Sequence, residues 1–151
     1  MEWQLKSFHE LSTDELYEII RLRVNVFVVE QNCPYEEVDG ADKVAKHIFI
    51  KEQDGSIKAY SRLFEAGAYG KEASIGRVIV AKPYRRDGFG RELLNHAIAY
   101  LEKDCLQESI VIQAQTYLLS FYQSFGFEPF SDPYLHDGIL HTDMRKMNKL
   151  S

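Results

Sequence analysis

A chain of 151 residues with 45% hydrophobic and 27% charged side chains has the size and make-up of one globular domain with a real core. That composition excludes a disordered chain, and no apolar run approaches the ~18–20 residues of a membrane-spanning helix. The net charge of −5 disfavours the non-specific binding of nucleic acid that a basic surface drives, and mildly favours cationic ligands.

The first four residues, Met-Glu-Trp-Gln, carry neither the basic start nor the apolar stretch of an export signal. A cytoplasmic protein is expected, with no membrane association and with Cys33 and Cys105 as reduced thiols. The spacing of the two cysteines suits neither zinc nor a redox pair, so no metal is expected. Residues 3–8 alternate apolar and polar like a first strand. Ser12 and Glu15 have the spacing of a capping box, which opens a helix over 13–29 with Leu16, Ile19, Ile20, Val26 and Phe27 at helical intervals. Residues 32–46, with Pro34 and Asp39-Gly40, read as a loop.

Strand-like runs follow at 47–52 and 57–65, joined by the hairpin signal Asp54-Gly55, and a third run covers 74–82 up to Pro83. A helix over 88–104 has Phe89, Leu93, Leu94, Ala97, Ile98 and Leu101 on one face. Residues 109–114 are almost continuously apolar, as in a central strand. A short helix at 117–125 stops at Gly126, and the tail supplies one or two more strands, including 142–147. No repeat or linker interrupts this order, so residues 1–151 form one α/β domain, a mixed sheet with helices on its faces.

The segment over 75–91 is the most informative. A buried strand runs into a turn holding Arg85, Arg86, Gly88 and Gly90, and a helix begins there. A helix start leaves backbone N–H groups unpaired and carries about half a unit of positive charge. Two glycines would keep side chains away from those donors, giving a phosphate-binding turn; equally, they would only shape the turn. A Walker loop is absent, and the dinucleotide fingerprint fails where Leu93 replaces a glycine.

The spacing Arg85-x-x-Gly88-x-Gly90 resembles the acetyl-CoA signature of the GNAT N-acetyltransferases. Residues 115–127, with Tyr122 four positions before Gly126-Phe127, resemble the C-terminal helix of that superfamily, in the right order and at the right separation. The stretch over 23–40, then His47, then residues 137–141, is similar to the ElaA-like branch. The resemblance spans nearly the whole chain. It implies the GNAT fold, with a central mixed sheet of six to seven strands, and direct acetyl transfer from acetyl-CoA to an amine, on a small molecule or a peptide.

On that resemblance Val78, Ile79 and Val80 present backbone groups to the pantetheine arm. Arg85, Arg86, Asp87, Gly88, Phe89, Gly90 and Arg91 cradle the pyrophosphate, with Gln115 also on the cofactor, and Tyr122 is the general acid. The same tyrosine would otherwise be a core aromatic among Leu118, Phe121 and Phe125. Many relatives carry a glutamate base on the strand before the turn, where this chain has Gly76 and Arg77, so the base is sought among Glu30, His47 and His141. The acidic loop contributes Gln31, Tyr35 and Asp39 to an acceptor site, and Arg62 and Arg77 on adjacent strands form a clamp for an acceptor carboxylate or, as readily, pair with surface acids. Two other readings stand beside the enzyme: a non-catalytic acyl-CoA sensor, and a toxin acting on aminoacyl-tRNA, which the acidic balance disfavours. Exposed strands near the C-terminus would suit a homodimer.

Overall fold

The computed structural model describes residues 2–149; Met1 and residues 150–151, which the single-domain reading includes, lie outside them. Strand β1 (Gln4–Ser7) leads through a 3-10 turn into helix α1 (Thr13–Arg23). The predicted capping box is present, with the Glu15 amide donating to Ser12 Oγ at 3.0 Å and the Ser12 amide to Glu15 Oε1 at 2.9 Å. The helix does not stay regular to residue 29. From Val24 to Glu30 it widens into π turns, with the Gln31 amide reaching the Val26 carbonyl and the Cys33 amide the Val28 carbonyl. Such widening rotates the side chains that follow, here Phe27 and Glu30, onto a cavity.

Strands β2 (Lys46–Lys51) and β3 (Ile57–Phe64) form the expected hairpin, and β4 (Ala73–Val80) is antiparallel to β3. Helix α2 (Phe89–Ala99) widens over Tyr100–Asp104 before strand β5 (Ser109–Gln115). Helix α3 (Leu119–Gln123) follows a 3-10 turn and ends at Gly126, whose φ of 99° is the left-handed conformation a helix stop requires. The tail forms three strands rather than one or two: β6 (Glu128–Pro129), β7 (Tyr134–His136) and β8 (Ile139–Met147). Asp137 and Gly138, with φ of 50° and 78°, make the two-residue turn of the β7–β8 hairpin. The sheet among the described residues thus has eight strands, in the order β1-β2-β3-β4-β5-β8-β6 with β7 on β8.

Side chains alternate across the sheet, so both faces are apolar. Ile48, Leu63, Ile75, Ile110 and Ile112 meet Leu93, Leu94, Ala97 and Leu101 of α2 and Tyr122 of α3. On the other face Phe49, Tyr60 and Ile79 meet Ile19, Leu22 and Phe27 of the first helix. The fold is that of a mixed α/β sheet flanked by helices, as the element order predicts.

Glu15 supplies more than the helix cap. Its buried carboxylate also receives Lys6 Nζ at 3.0 Å and Lys51 Nζ at 2.9 Å, tying α1 to β1 and β2. Burial alone would raise its pKa, but the Ser12 amide and the two ammonium groups outweigh that and bring it down to about 2. A depressed carboxylate pKa stabilises the fold above the ordinary value near 4.5 and loses that contribution as pH falls towards 2. Glu15→Gln is expected to cost roughly 1–2 kcal/mol at pH 7, after allowing for the partly exposed lysines, and nothing below pH 2. Urea unfolding of both proteins across pH 2–7 checks this; parallel stability curves would refute it.

Candidate functional site

Strands β4 and β5 are parallel but pair only at their starts, Ala73 with Ile110 and Ser74 with Val111. Past those residues they part, β4 remaining on β3 and β5 on β8. The gap opens into a cavity of about 990 Å3. On β4, a bulge accompanies the split: Tyr60 faces Ile79 and Arg62 faces Gly76, so Ser61 alone spans Arg77 and Val78. Arg77 takes a φ of 52°, and Ser61 Oγ donates to the Gly76 carbonyl at 2.7 Å. A bulge beside a cavity bends its strand and frees main-chain groups that a regular ladder would consume. Val78, Ile79 and Val80 line the cavity on one side, Gln113 and Gln115 on the other. The Val80 carbonyl is not free, since Arg85 Nε donates to it at 2.9 Å.

The turn after β4 has the expected form. Gly88 sits at φ 85° immediately before α2, and the first helical bond runs from the Glu92 amide to the Gly88 carbonyl at 3.1 Å. The amides of Phe89, Gly90 and Arg91 are therefore the unpaired donors of a helix start. The two glycines serve different ends. A Cβ at Gly88 would meet nothing within 4 Å, so its left-handed backbone is what demands glycine. A Cβ at Gly90 would lie 3.6 Å from Val80 and 3.8 Å from Phe121, ordinary van der Waals contact, so neither packing nor backbone demands glycine there; its effect is to leave the amides of the helix start uncovered.

Several side chains of this turn are engaged elsewhere. Arg85 forms a two-pronged pair with Glu30, at 2.8 and 3.0 Å. Arg91 Nη2 donates to Ser124 Oγ at 3.1 Å and its guanidinium covers the Phe125 ring at 4.7 Å, which ties α2 to α3. The Phe89 ring packs edge-on against Tyr84 under the Lys58 ammonium. Arg86 and Asp87 are exposed and make no polar contact among the described residues, so Arg86 is the cation available to a phosphate.

Tyr122 lies in the cavity wall with 6% of its surface exposed, edge-on to Phe121 and Phe127. Its hydroxyl takes no hydrogen bond among the described residues, yet it is not among the sealed, unsatisfied polar atoms, so it opens to the cavity. Burial pushes the phenol pKa up, which keeps the proton on oxygen. This side chain is at once the core aromatic and an available proton donor.

The three candidate bases separate cleanly. Glu30 is held by Arg85, which engages both its oxygens and lowers its pKa, making it a poorer base. His47 is fully buried, lies outside the cavity, and has Nδ1 on the Tyr60 hydroxyl at 2.6 Å and Nε2 on the Asp42 carbonyl at 2.9 Å. Burial lowers its pKa, and it is a structural residue. His141 faces the cavity, and its Nδ1 lies 2.8 Å from the Ile139 carbonyl. A carbonyl only accepts, so Nδ1 carries the proton and Nε2 presents a lone pair with no partner among the described residues.

The carboxylate clamp expected of Arg62 and Arg77 is already filled from within. Arg62 pairs with both oxygens of Asp39, at 3.0 and 2.7 Å, and with Asp42 at 3.0 Å. Arg77 Nε lies 3.0 Å from both oxygens of Glu37. Arg23, with no exposed surface, joins Glu37 at 2.5 Å and Asp42 at 2.6 Å. Three guanidiniums and three carboxylates thus fasten the acidic loop to the sheet, and Arg62 holds the Asp39 pKa well below the carboxylate range. The loop is no freely solvated charge run: Glu37 and Asp42 are buried. Tyr35, whose hydroxyl donates to Glu37 at 2.5 Å, Gln31 and the exposed Glu36 line the cavity, and the rings of Tyr35 and Phe27 flank Arg77. Phe130, Tyr117 and His136 also line it, and sequence alone did not single them out. The Asp137-Gly138 turn signal could have revealed the hairpin that carries His136.

Residues 13–148 match the family model described as the acetyltransferase (GNAT) domain. The chain is 37% identical to protein ElaA of Escherichia coli over 148 residues, covering 97% of this chain and 96% of that one. A UPF0039 protein of Schizosaccharomyces pombe is 39% identical over 146 residues, 96% of each chain. The crystal structure of Escherichia coli ElaA aligns with a TM-score of 0.89 over 96% of this chain and 98% of that chain. An acyl-CoA N-acyltransferase structure from Pseudomonas aeruginosa aligns at 0.90, with 36% identity, over 97% and 99%.

Proposed function

Because this chain belongs to the GNAT acetyltransferase family, on its ElaA-like branch, we propose that it transfers the acetyl group of acetyl-CoA directly to an amine bound beside it. The observation that carries this reading is the unpaired Tyr122 hydroxyl in the wall of a cavity opened by two parting strands. The pantetheine arm lies along Val78 and Ile79, whose strand edge has no partner past Ser74. The pyrophosphate meets the amides of Phe89, Gly90 and Arg91 and the guanidinium of Arg86. Arg85 stays on Glu30 and the Val80 carbonyl and shapes the turn from behind.

The acceptor enters between the acidic loop and the β7–β8 hairpin. It arrives as an ammonium ion and must lose a proton before it can attack. His141 Nε2 takes that proton and releases it to water. The amine nitrogen then bonds to the thioester carbon, the C–S bond breaks, and Tyr122 gives its proton to the departing sulfur. The second amine proton restores the phenol, leaving an amide and free CoA.

Calorimetry with acetyl-CoA, followed by thiol release with a panel of alkylamines, a polyamine, an aromatic amine and a lysine peptide, tests the reading. Saturable binding and turnover on at least one amine class are expected. No heat at about 1 mM acetyl-CoA, where a contact worth only ~4 kcal/mol would half-saturate, overturns it. Binding without thiol release on any amine favours the sensor. Among the described residues no helix is long and apolar enough to cross a membrane.

A further inference from the structure

We infer that Tyr134 and Asp143 are positioning residues that fix the imidazole of His141 as the base, an inference that rests on the transferase reading above. The stretch over 134–141 is a hairpin in which Tyr134 lies directly opposite His141. Their rings stack at 6.2 Å and 26°, while His136 meets the same imidazole edge-on at 5.4 Å. A stacked ring can still turn about its own bond. Three further contacts remove that freedom.

First, His141 Nδ1–H donates to the Ile139 carbonyl two residues away in the same strand, which selects one tautomer and turns Nε2 away from the backbone. Second, the Tyr134 hydroxyl donates to Asp143 Oδ1, so the stacking ring is pinned at its far end to the strand that carries His141. Burial and that carboxylate push the phenol pKa up, so Tyr134 remains a donor throughout the neutral range. Third, the main chain that carries Asp143 is anchored: its amide donates to Ser131 Oγ at 2.9 Å and its carbonyl accepts from the Phe130 amide at 2.9 Å. The hairpin tip is held as well, since Cys33 Sγ donates to the Asp137 carbonyl at 3.0 Å across the cavity mouth. The result is one imidazole with a fixed tautomer, a fixed plane and one unoccupied nitrogen, in a chain whose β4 offers no carboxylate.

The purpose of such orientation is kinetic. A base accepts a proton efficiently only when its lone pair points at the departing hydrogen, and holding the ring in advance avoids ordering it at each turnover. The titratable groups beside His141 are Tyr134 and His136 on β7, Asp137 at the turn, Asp143 on its own strand and Tyr122 across the cavity. Tyr122 and Tyr134 are uncharged at neutral pH, so Asp137, Asp143 and His136 set the local charge.

Four variants test the assignment on the full-length protein, using the panel amine that the wild type acetylates fastest. Tyr134→Phe keeps the stack and loses the pin; kcat is expected to fall about tenfold, with KM for acetyl-CoA unchanged and the acid limb of the kcat/KM profile displaced. Asp143→Ala should match it, and Asp143→Asn should recover most of the loss because an amide oxygen still accepts from the phenol. His141→Gln should lose about a hundredfold and abolish the acid limb. Imidazole 15N spectra, which need no acceptor, should show the Nδ1–H tautomer of His141 in the wild type, and broadened imidazole signals from a less tightly held ring in Tyr134→Phe. Wild-type rates and pH profiles in Tyr134→Phe, or an Nε2–H tautomer in the wild type, would overturn the inference with the transferase intact. A wild type that binds acetyl-CoA but acetylates no amine sinks the transferase reading first and this one with it.

Discussion

Tyr122→Phe is expected to lower kcat by about a hundredfold or more while the affinity for acetyl-CoA and the melting temperature stay close to those of the native protein. The substitution removes a single oxygen. The ring remains edge-on to Phe121 and Phe127, so the packing of α3 is retained. The lost hydroxyl has no hydrogen bond within the protein, and removing an unpaired polar group from a wall of apolar side chains costs nothing or slightly stabilises. Catalysis is different. The expelled sulfur belongs to a thiol of pKa near ~8.5, and a phenol that burial keeps protonated can neutralise it as the C–S bond breaks. Losing that donor corresponds to about 3 kcal/mol in the barrier. Steady-state thiol release, calorimetry and thermal unfolding of one preparation check all three parts. An unchanged kcat would reduce Tyr122 to a core aromatic.

Arg23→Met is expected to be the most destabilising change in the acidic-loop network, at roughly 3–5 kcal/mol, or a melting temperature lower by about 10 °C. Arg23 is fully buried on the last turn of α1, spans Glu37 and Asp42, and donates to the Glu37 carbonyl at 3.1 Å. Burial disfavours its charge, but the carboxylates of Asp42 and Glu37 outweigh that, so the guanidinium stays ionised. Methionine fills similar space without the charge, leaving two buried carboxylates to share Arg62 and Arg77. The loop bearing Gln31, Tyr35 and Glu36 would then loosen from the cavity, so KM for the amine should rise while acetyl-CoA affinity holds. Chemical unfolding with parallel kinetics decides the matter. A loss below about 1 kcal/mol would show that the loop is held by something else.

In one dimension the charged residues of the acidic loop read as the border of an acceptor site, because burial and ion pairing with Arg62 and Arg77, more than twenty positions away, are invisible there. The intended carboxylate clamp failed for the same reason. Two arginines on neighbouring strands can bind a ligand or a loop, and the loop arrived first. Likewise Glu30 and His47 have the right chemistry as isolated side chains, but only coordinates show that one is paired with Arg85 and the other is sealed under Tyr60.

By itself the sequence determined the element order, the helix faces, the capping box at Ser12, the glycine-bearing turn that opens α2 and the placing of Tyr122 before Gly126, because these depend on periodicities and backbone preferences within a few residues. Tertiary structure alone decided which of the three candidate bases faces the cavity without an ion-pair partner, which arginines are already paired, and that β4 and β5 part after two residue pairs. Those outcomes turn on pairing between distant segments. There a one-residue bulge at Arg77 or a hairpin at Asp137 re-aims every side chain that follows, and no local pattern in the chain records which partner each charge will meet.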